Sequence, residues 1–126
     1  MCGIAGLFRP EGLDAGPLDD MVRALTHRGP DEQGLGSWGH PAGARVACGL
    51  GVRRLAITDP ANGHQPATDE TGRLHVVLNG EIYNHKRLRT ELRGNGVSFR
   101  TASDTEVLAN LIARVGIDAA LAQLRG

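Results

Sequence analysis

Apolar residues in this chain come only in short stretches cut by glycine or proline, and that punctuation limits the fold more than any other feature. CGIAGLF (2–8) reads as a strand at the N-terminus, ended by Pro10. Residues 17–27 read as a helix, with Pro17 at its first position and Leu18, Met21, Val22 and Leu25 at i, i+3, i+4, i+7. Arg28-Gly29-Pro30 stops it. Residues 31–43 are Gly-rich and polar, a loop with at most a short strand around Trp38. Segments 44–51 and 53–58 look like two strands meeting near Gly49 and Gly51, and 59–72 is mostly loop. RLHVVLN (73–79) is the strongest strand signal, β-branched at its centre and ended by Gly80. A helix is expected over 84–93, a strand over VSFRT (97–101), a helix over 104–115 and a last short helix over 118–124. Separated strands and helices without an internal repeat predict an α+β fold, and 126 residues leave room for a single domain.

Charge narrows the classes of partner. Fourteen basic and fourteen acidic residues cancel, and no run of like charge favours a nucleic acid or a membrane surface. No apolar run approaches the length of a membrane span, and no secretory leader is recognisable. The two cysteines, 2 and 48, form no C-x-x-C pair, so a reducing cytoplasm is the expected location and Cys48 is expected to be buried and silent. His27, His40, His64, His75 and His85 lack ligand spacing with each other or with Cys48, so no metal site is expected.

Cys2 is ambiguous by itself, since a free cysteine is most often a small buried hydrophobe. Its position changes the balance. Initiator Met is normally removed before a small side chain, which leaves the Cys2 thiol and a free α-amine on one residue. Such an amine titrates at about 7.7–8.0 in model peptides and can act as the local base for its own thiol. Asn79-Gly80 is a strong hairpin signal. Ser103-x-x-Glu106 reads as a capping box, with Asp104 complementing the helix dipole. Arg54 reads as a surface charge, and strand alternation would turn only one of Arg53 and Arg54 inward.

The N-terminal MCGIAGLF resembles the start of class II glutamine amidotransferases, which are N-terminal-nucleophile hydrolases. HRGPDE (27–32), RRLAITD (53–59), GHQP (63–66), NGEIYNH (79–85) and SDTEV (103–107) follow in the family's order, and together they resemble asparagine synthetases. The resemblance implies Cys2 as nucleophile, with the Asn79 amide and the Gly80 N–H as oxyanion donors. It implies that Arg54 binds the α-carboxylate of glutamine, with Leu55, Ile57 and Thr58 lining the pocket, and that Glu81 and Asp104 hold its ammonium group. The family commonly has His two places before this Arg, where Val52 stands here. HRGPDE is expected to be structural, with Arg28 and Asp31 free to pair.

The fold so implied is an αββα sandwich of antiparallel sheets, incomplete here. Residues 1–126 correspond to the N-terminal part of a type 2 glutamine amidotransferase domain, because relatives continue past a segment like AQLRG (122–126) into more sheet and a synthetase domain. The implied reaction releases glutamate and ammonia through a Cys2 thioester. The glutaminase half needs no cofactor, whereas the absent synthetase domain would use ATP and Mg²⁺ to amidate aspartate. Glutamine is the implied substrate, a synthetase domain or partner chain the ammonia recipient, and a homodimer stays open. The competing readings are an inactive fragment with a glutamine-binding or interaction role, and a glutaminase serving another acceptor.

Overall fold

The computed structural model describes residues 1–13, 16–39 and 46–126, apart from the side chains of 9–13, 46 and 47. These residues form two compact units, Met1–Ala56 and Ile57–Gly126, each an α+β arrangement with an antiparallel sheet. Expectations for residues 40–45, including His40, the end of the 31–43 loop and the start of the 44–51 strand, lie outside the described residues.

The first unit holds strands β1 (Gly3–Leu13), β2 (Glu32–Gly39) and β3 (Val46–Arg54) and helix α1 (Gly16–Ala24). β3 is central, in the order β1-β3-β2, with antiparallel ladders on both sides. The two strands expected to meet near Gly49 and Gly51 are one strand, and it stops at Arg54 rather than continuing to residue 58. The glycines are there because α1 lies directly on them. A Cβ at Gly51 would sit 2.3 Å from Val22 Cγ2, and one at Gly49 would sit 2.8 Å from Leu18 Cδ2. Bare backbone at these points lets Leu18 and Val22 bury themselves against the sheet.

The segment expected to be mostly loop contains β2, eight residues whose exposure alternates along the strand. Its glycines weaken local strand propensity, but β3 offers it a complete antiparallel partner. β1 runs past Pro10 instead of ending there. It is an edge strand whose register shifts between Phe8 and Leu13, a setting in which a strand tolerates proline. α1 ends at Ala24, three residues early, and the chain tightens into i→i−3 bonds, Leu25 N–H to Val22 O (3.0 Å) and Arg28 N–H to Leu25 O (2.8 Å).

The second unit is built around helix α3 (Asp104–Val115), joined by β4 (Ala67–Thr68), β5 (His75–Val76), α2 (His85–Gly94) and α4 (Ile117–Leu121). Ile82, Leu88, Leu92, Val97, Val107, Leu108, Leu111 and Ala120 form its core. α2 and α3 fall close to their expected bounds, α4 ends three residues short of its expected end at 124, and α3 ends at Gly116, whose φ of 80° is easy for glycine. Every residue from Asp104 to Leu111 is buried, so the polar ones must find partners. Each clasps a different loop. Thr105 Oγ1 accepts from Gln65 Nε2 (3.3 Å), and Asn110 Oδ1 accepts from Glu70 N–H (2.9 Å). Ser103 caps α3 by accepting from Glu106 N–H (3.2 Å), but Glu106 does not reach back as a capping box would. Its carboxylate instead accepts from the N–H groups of Arg100 (2.9 Å) and Thr101 (2.8 Å).

That clasp explains why VSFRT is not a strand. Its donors go to carboxylates, Ser98 N–H to Glu70 (3.1 Å) and residues 100 and 101 to Glu106, while Arg89 covers the Phe99 ring at 4.5 Å. RLHVVLN likewise pairs over only two residues, because β4 is only two residues long. The Leu74 N–H goes to Asp69 (2.8 Å) and the Leu78 N–H to Gln65 (2.8 Å). Strand propensity without a strand beside it leaves an extended loop.

Asp69 supplies a pH prediction. Burial by itself would push its carboxyl up. The Thr71 hydroxyl and the N–H groups of Leu74, Thr71 and Arg73 outweigh burial and hold it at about 2. The folded value lies below the unfolded one, so this stabilisation is complete above about pH 4 and is lost as pH falls toward about 2. Asp69→Asn should therefore flatten the stability–pH curve between about 4 and 2, measured by urea titration at each pH. An unchanged slope would remove Asp69 as its source.

Candidate active site

The first unit brings Cys2 and Arg54 to the same end of its sheet. The last paired rung between β1 and β3 is Gly3↔Arg53, so Cys2 lies one residue further along, beside Arg54. Its half-buried Sγ accepts from Leu55 N–H at 3.4 Å and faces Leu55 O at 3.8 Å. Leu55 therefore meets the thiol through its backbone. Met1 is 76% exposed, so the bond preceding Cys2 is accessible to a processing peptidase.

Strand alternation separates the two arginines as expected. Arg53 is half-buried, and its guanidinium donates to Gly29 O (3.0 Å), Pro30 O (3.3 Å) and Gln33 Oε1 (3.2 Å). Arg54 is only 3% exposed, and its Nη1 meets Glu32 Oε2 at 2.9 Å. It is not a surface charge. The HRGPDE block forms the seat for both residues. Asp31 N–H donates to Arg54 O (3.2 Å), and Asp31 Oδ2 accepts from Ala56 N–H (2.9 Å), so Asp31 serves the RRLA backbone rather than Arg28. Gly29 lies so close that a Cβ would be 2.3 Å from Arg53 O.

In the second unit the other predicted residues gather around the start of α3. Asn79, Gly80 and Glu81 are exposed. Among the described residues the Asn79 side chain and the Gly80 N–H engage no partner. No hairpin follows Asn79-Gly80, since the chain turns into α2 instead. Asp104 is 5% exposed and accepts from Ile82 N–H at 3.0 Å, with Thr105 Oγ1 at 3.4 Å from its other oxygen. The helix start thus grips the NGEI segment just past two open donors. Of the pocket-lining candidates, Thr58 is half-buried and Ile57 is 68% exposed.

A separate cavity of about 200 Å³ in this unit is lined by His64, Thr68, Arg100, Thr101, Ser103 and Glu106 among others, and by none of the predicted site residues. Its polar groups answer each other, Thr101 Oγ1 donating to Glu106 (2.6 Å) and lying 3.0 Å from Ser103 Oγ. Among the described residues no three His, Cys, Asp or Glu side chains gather as a metal-holding group. No helix there is long and apolar enough to cross a membrane.

Sequence reasoning missed Glu32 as the counter-charge of Arg54. The β2–β3 register places Glu32 directly opposite Arg54, and that pairing is invisible without knowing that residues 32–39 form a strand.

A family model described as a glutamine amidotransferase domain matches residues 1–126. The chain is 48% identical over 92 residues to an asparagine synthetase (glutamine-hydrolysing) of Sandersonia aurantiaca, covering 73% of this chain and 16% of that protein. It is 40% identical over 121 residues to the root asparagine synthetase of Pisum sativum, covering 94% of this chain and 19% of that protein. A Bacillus subtilis asparagine synthetase is 40% identical over 113 residues, covering 86% and 17% respectively. The chain therefore spans less than a fifth of the length of these relatives.

Proposed function

The chain belongs to the glutamine amidotransferase domain family, and from that premise we propose that it hydrolyses glutamine through Cys2 as part of an asparagine synthetase-like enzyme. The observation that carries this reading is the row across the first sheet, where Cys2 follows the Gly3↔Arg53 rung and stands beside buried Arg54. A nucleophile just before one strand and a carboxylate-binding fork at the end of its neighbour suit a substrate with an α-carboxylate at one end and an amide at the other.

With Met1 removed, the Cys2 α-amine takes the thiol proton and the thiolate attacks the side-chain amide carbon of glutamine. The Asn79 amide and the Gly80 N–H donate to the resulting oxyanion, and their lack of competing partners supports that role. Arg54 receives the α-carboxylate, Glu81 and Asp104 take the ammonium group, and Leu55, Ile57 and Thr58 line the pocket. The α-ammonium returns its proton to the departing nitrogen, ammonia leaves, and water hydrolyses the thioester to glutamate.

The same reading takes residues 1–126 as a single domain, the N-terminal part of an antiparallel αββα sandwich. Ammonia would pass to a synthetase domain that uses ATP and Mg²⁺ to amidate aspartate in the cytoplasm. The glutaminase reaction itself uses neither ATP nor Mg²⁺.

The test is covalent capture. The purified chain is treated with an electrophilic glutamine analogue, and its intact mass and peptide map are recorded. One adduct on Cys2 of Met1-free protein, slowed by excess glutamine, is the expected result. Well-folded, Met1-free protein that takes no adduct would refute the assignment.

A further inference from the structure

We propose that Glu32 is a positioning residue for Arg54, holding the guanidinium in the orientation that receives the glutamine α-carboxylate; this inference rests on the function proposed above. Arg54 has been withdrawn from water, at 3% exposure, and a buried guanidinium requires an anionic partner. Glu32 supplies it at 2.9 Å, with its own side chain 25% exposed. The pair is a cross-strand rung, Glu32↔Arg54, so both backbones are fixed by the ladder before the side chains meet. The backbone around it is fixed again by Asp31, which bonds to Arg54 O and Ala56 N–H.

A guanidinium is planar and has five donors in a fixed fork. Anchoring Nη1 constrains the tilt of the plane that the α-carboxylate must meet. Glu32 acts through Arg54 and touches no reacting atom. Its loss should weaken recognition of the α-carboxylate and leave the chemistry at Cys2 unchanged.

The rate of Cys2 alkylation by the electrophilic glutamine analogue, followed against analogue concentration, separates these effects into a half-saturation and a limiting rate. Glu32→Ala should raise the half-saturation about tenfold, as expected for loss of one charge-assisted bond, with the limiting rate within about twofold of wild type. Glu32→Gln keeps an acceptor oxygen at the same reach and should restore the half-saturation to within about threefold. A half-saturation unmoved by Glu32→Ala overturns the proposal even if melting temperature falls, because a purely structural role changes only the folded fraction. A tighter half-saturation in either variant also overturns it, since Glu32 would then be a competitor for Arg54, as does Glu32→Gln as impaired as Glu32→Ala. Wild-type protein that is not alkylated saturably refutes the underlying function instead, so the two failures are distinct.

Discussion

Cys2→Ala should abolish glutamine hydrolysis, lowering turnover by about 10⁴-fold or more, while glutamine still binds. The size follows from the chemistry, because no other group proposed here can form the thioester. The fold should be little affected. Among the described residues the Cys2 sulfur makes two weak hydrogen bonds, both to Leu55 backbone, at 3.4 and 3.8 Å, so removing it should cost no more than about 1 kcal/mol. Ammonia release measures the first effect, calorimetric titration with glutamine the second and a urea melt the third. Hydrolysis that survives in Cys2→Ala would transfer the nucleophile elsewhere. Loss of binding together with hydrolysis would make Cys2 a structural residue of the β1 end.

Gly29→Ala should be the most damaging single methyl group in the first unit. Its Cβ would stand 2.3 Å from Arg53 O, 2.4 Å from Arg53 C and 2.6 Å from Arg54 C. These are backbone atoms of the central strand, paired on both sides, so they cannot rotate away as a side chain would. Relief requires moving the HRGPDE turn off the sheet, which would break the Arg53 bonds to Gly29 O and Pro30 O and the Asp31 bonds to Arg54 and Ala56. A destabilisation of about 2–4 kcal/mol is expected in urea melts. The control is Gly94→Ala at the end of α2, where nothing lies within 4 Å of the added Cβ. That change should be neutral or stabilising by up to about 1 kcal/mol. Equal melting behaviour in the two variants would rule out the seat that Gly29 is argued to form.

These predictions differ in how much of their basis was legible beforehand. Cys2, Arg54, Asn79 and Asp104 stand out by residue type and order of motifs, and the structure places Cys2 just before β1 and Arg54 at the end of β3, the strand paired with β1. By sequence Gly29 is a helix stop and nothing more, because its crowding comes from Arg53, 24 residues later on the central strand. By sequence Asp104 is a helix-dipole or substrate residue. Its bond to Ile82 N–H, which anchors the NGEI segment, spans 22 residues and has no sequence signature.

The helices are specified locally. Leu18 and Val22 in α1, Leu88 and Leu92 in α2, and Val107, Leu108 and Leu111 in α3 carry the helical period, and each is buried where that period points inward. A helix makes its hydrogen bonds within a few residues, so local residues suffice to specify it. The strands depend on pairing between distant segments. Gly-rich 32–39 became a strand because β3 pairs with it along its length, whereas RLHVVLN and VSFRT, better strand formers, give the N–H groups of residues 73, 74, 78, 98, 100 and 101 to the side chains of Asp69, Gln65, Glu70 and Glu106. A strand requires hydrogen bonds from a distant segment, and register then selects which side chains meet. The Glu32–Arg54 pair follows from that register.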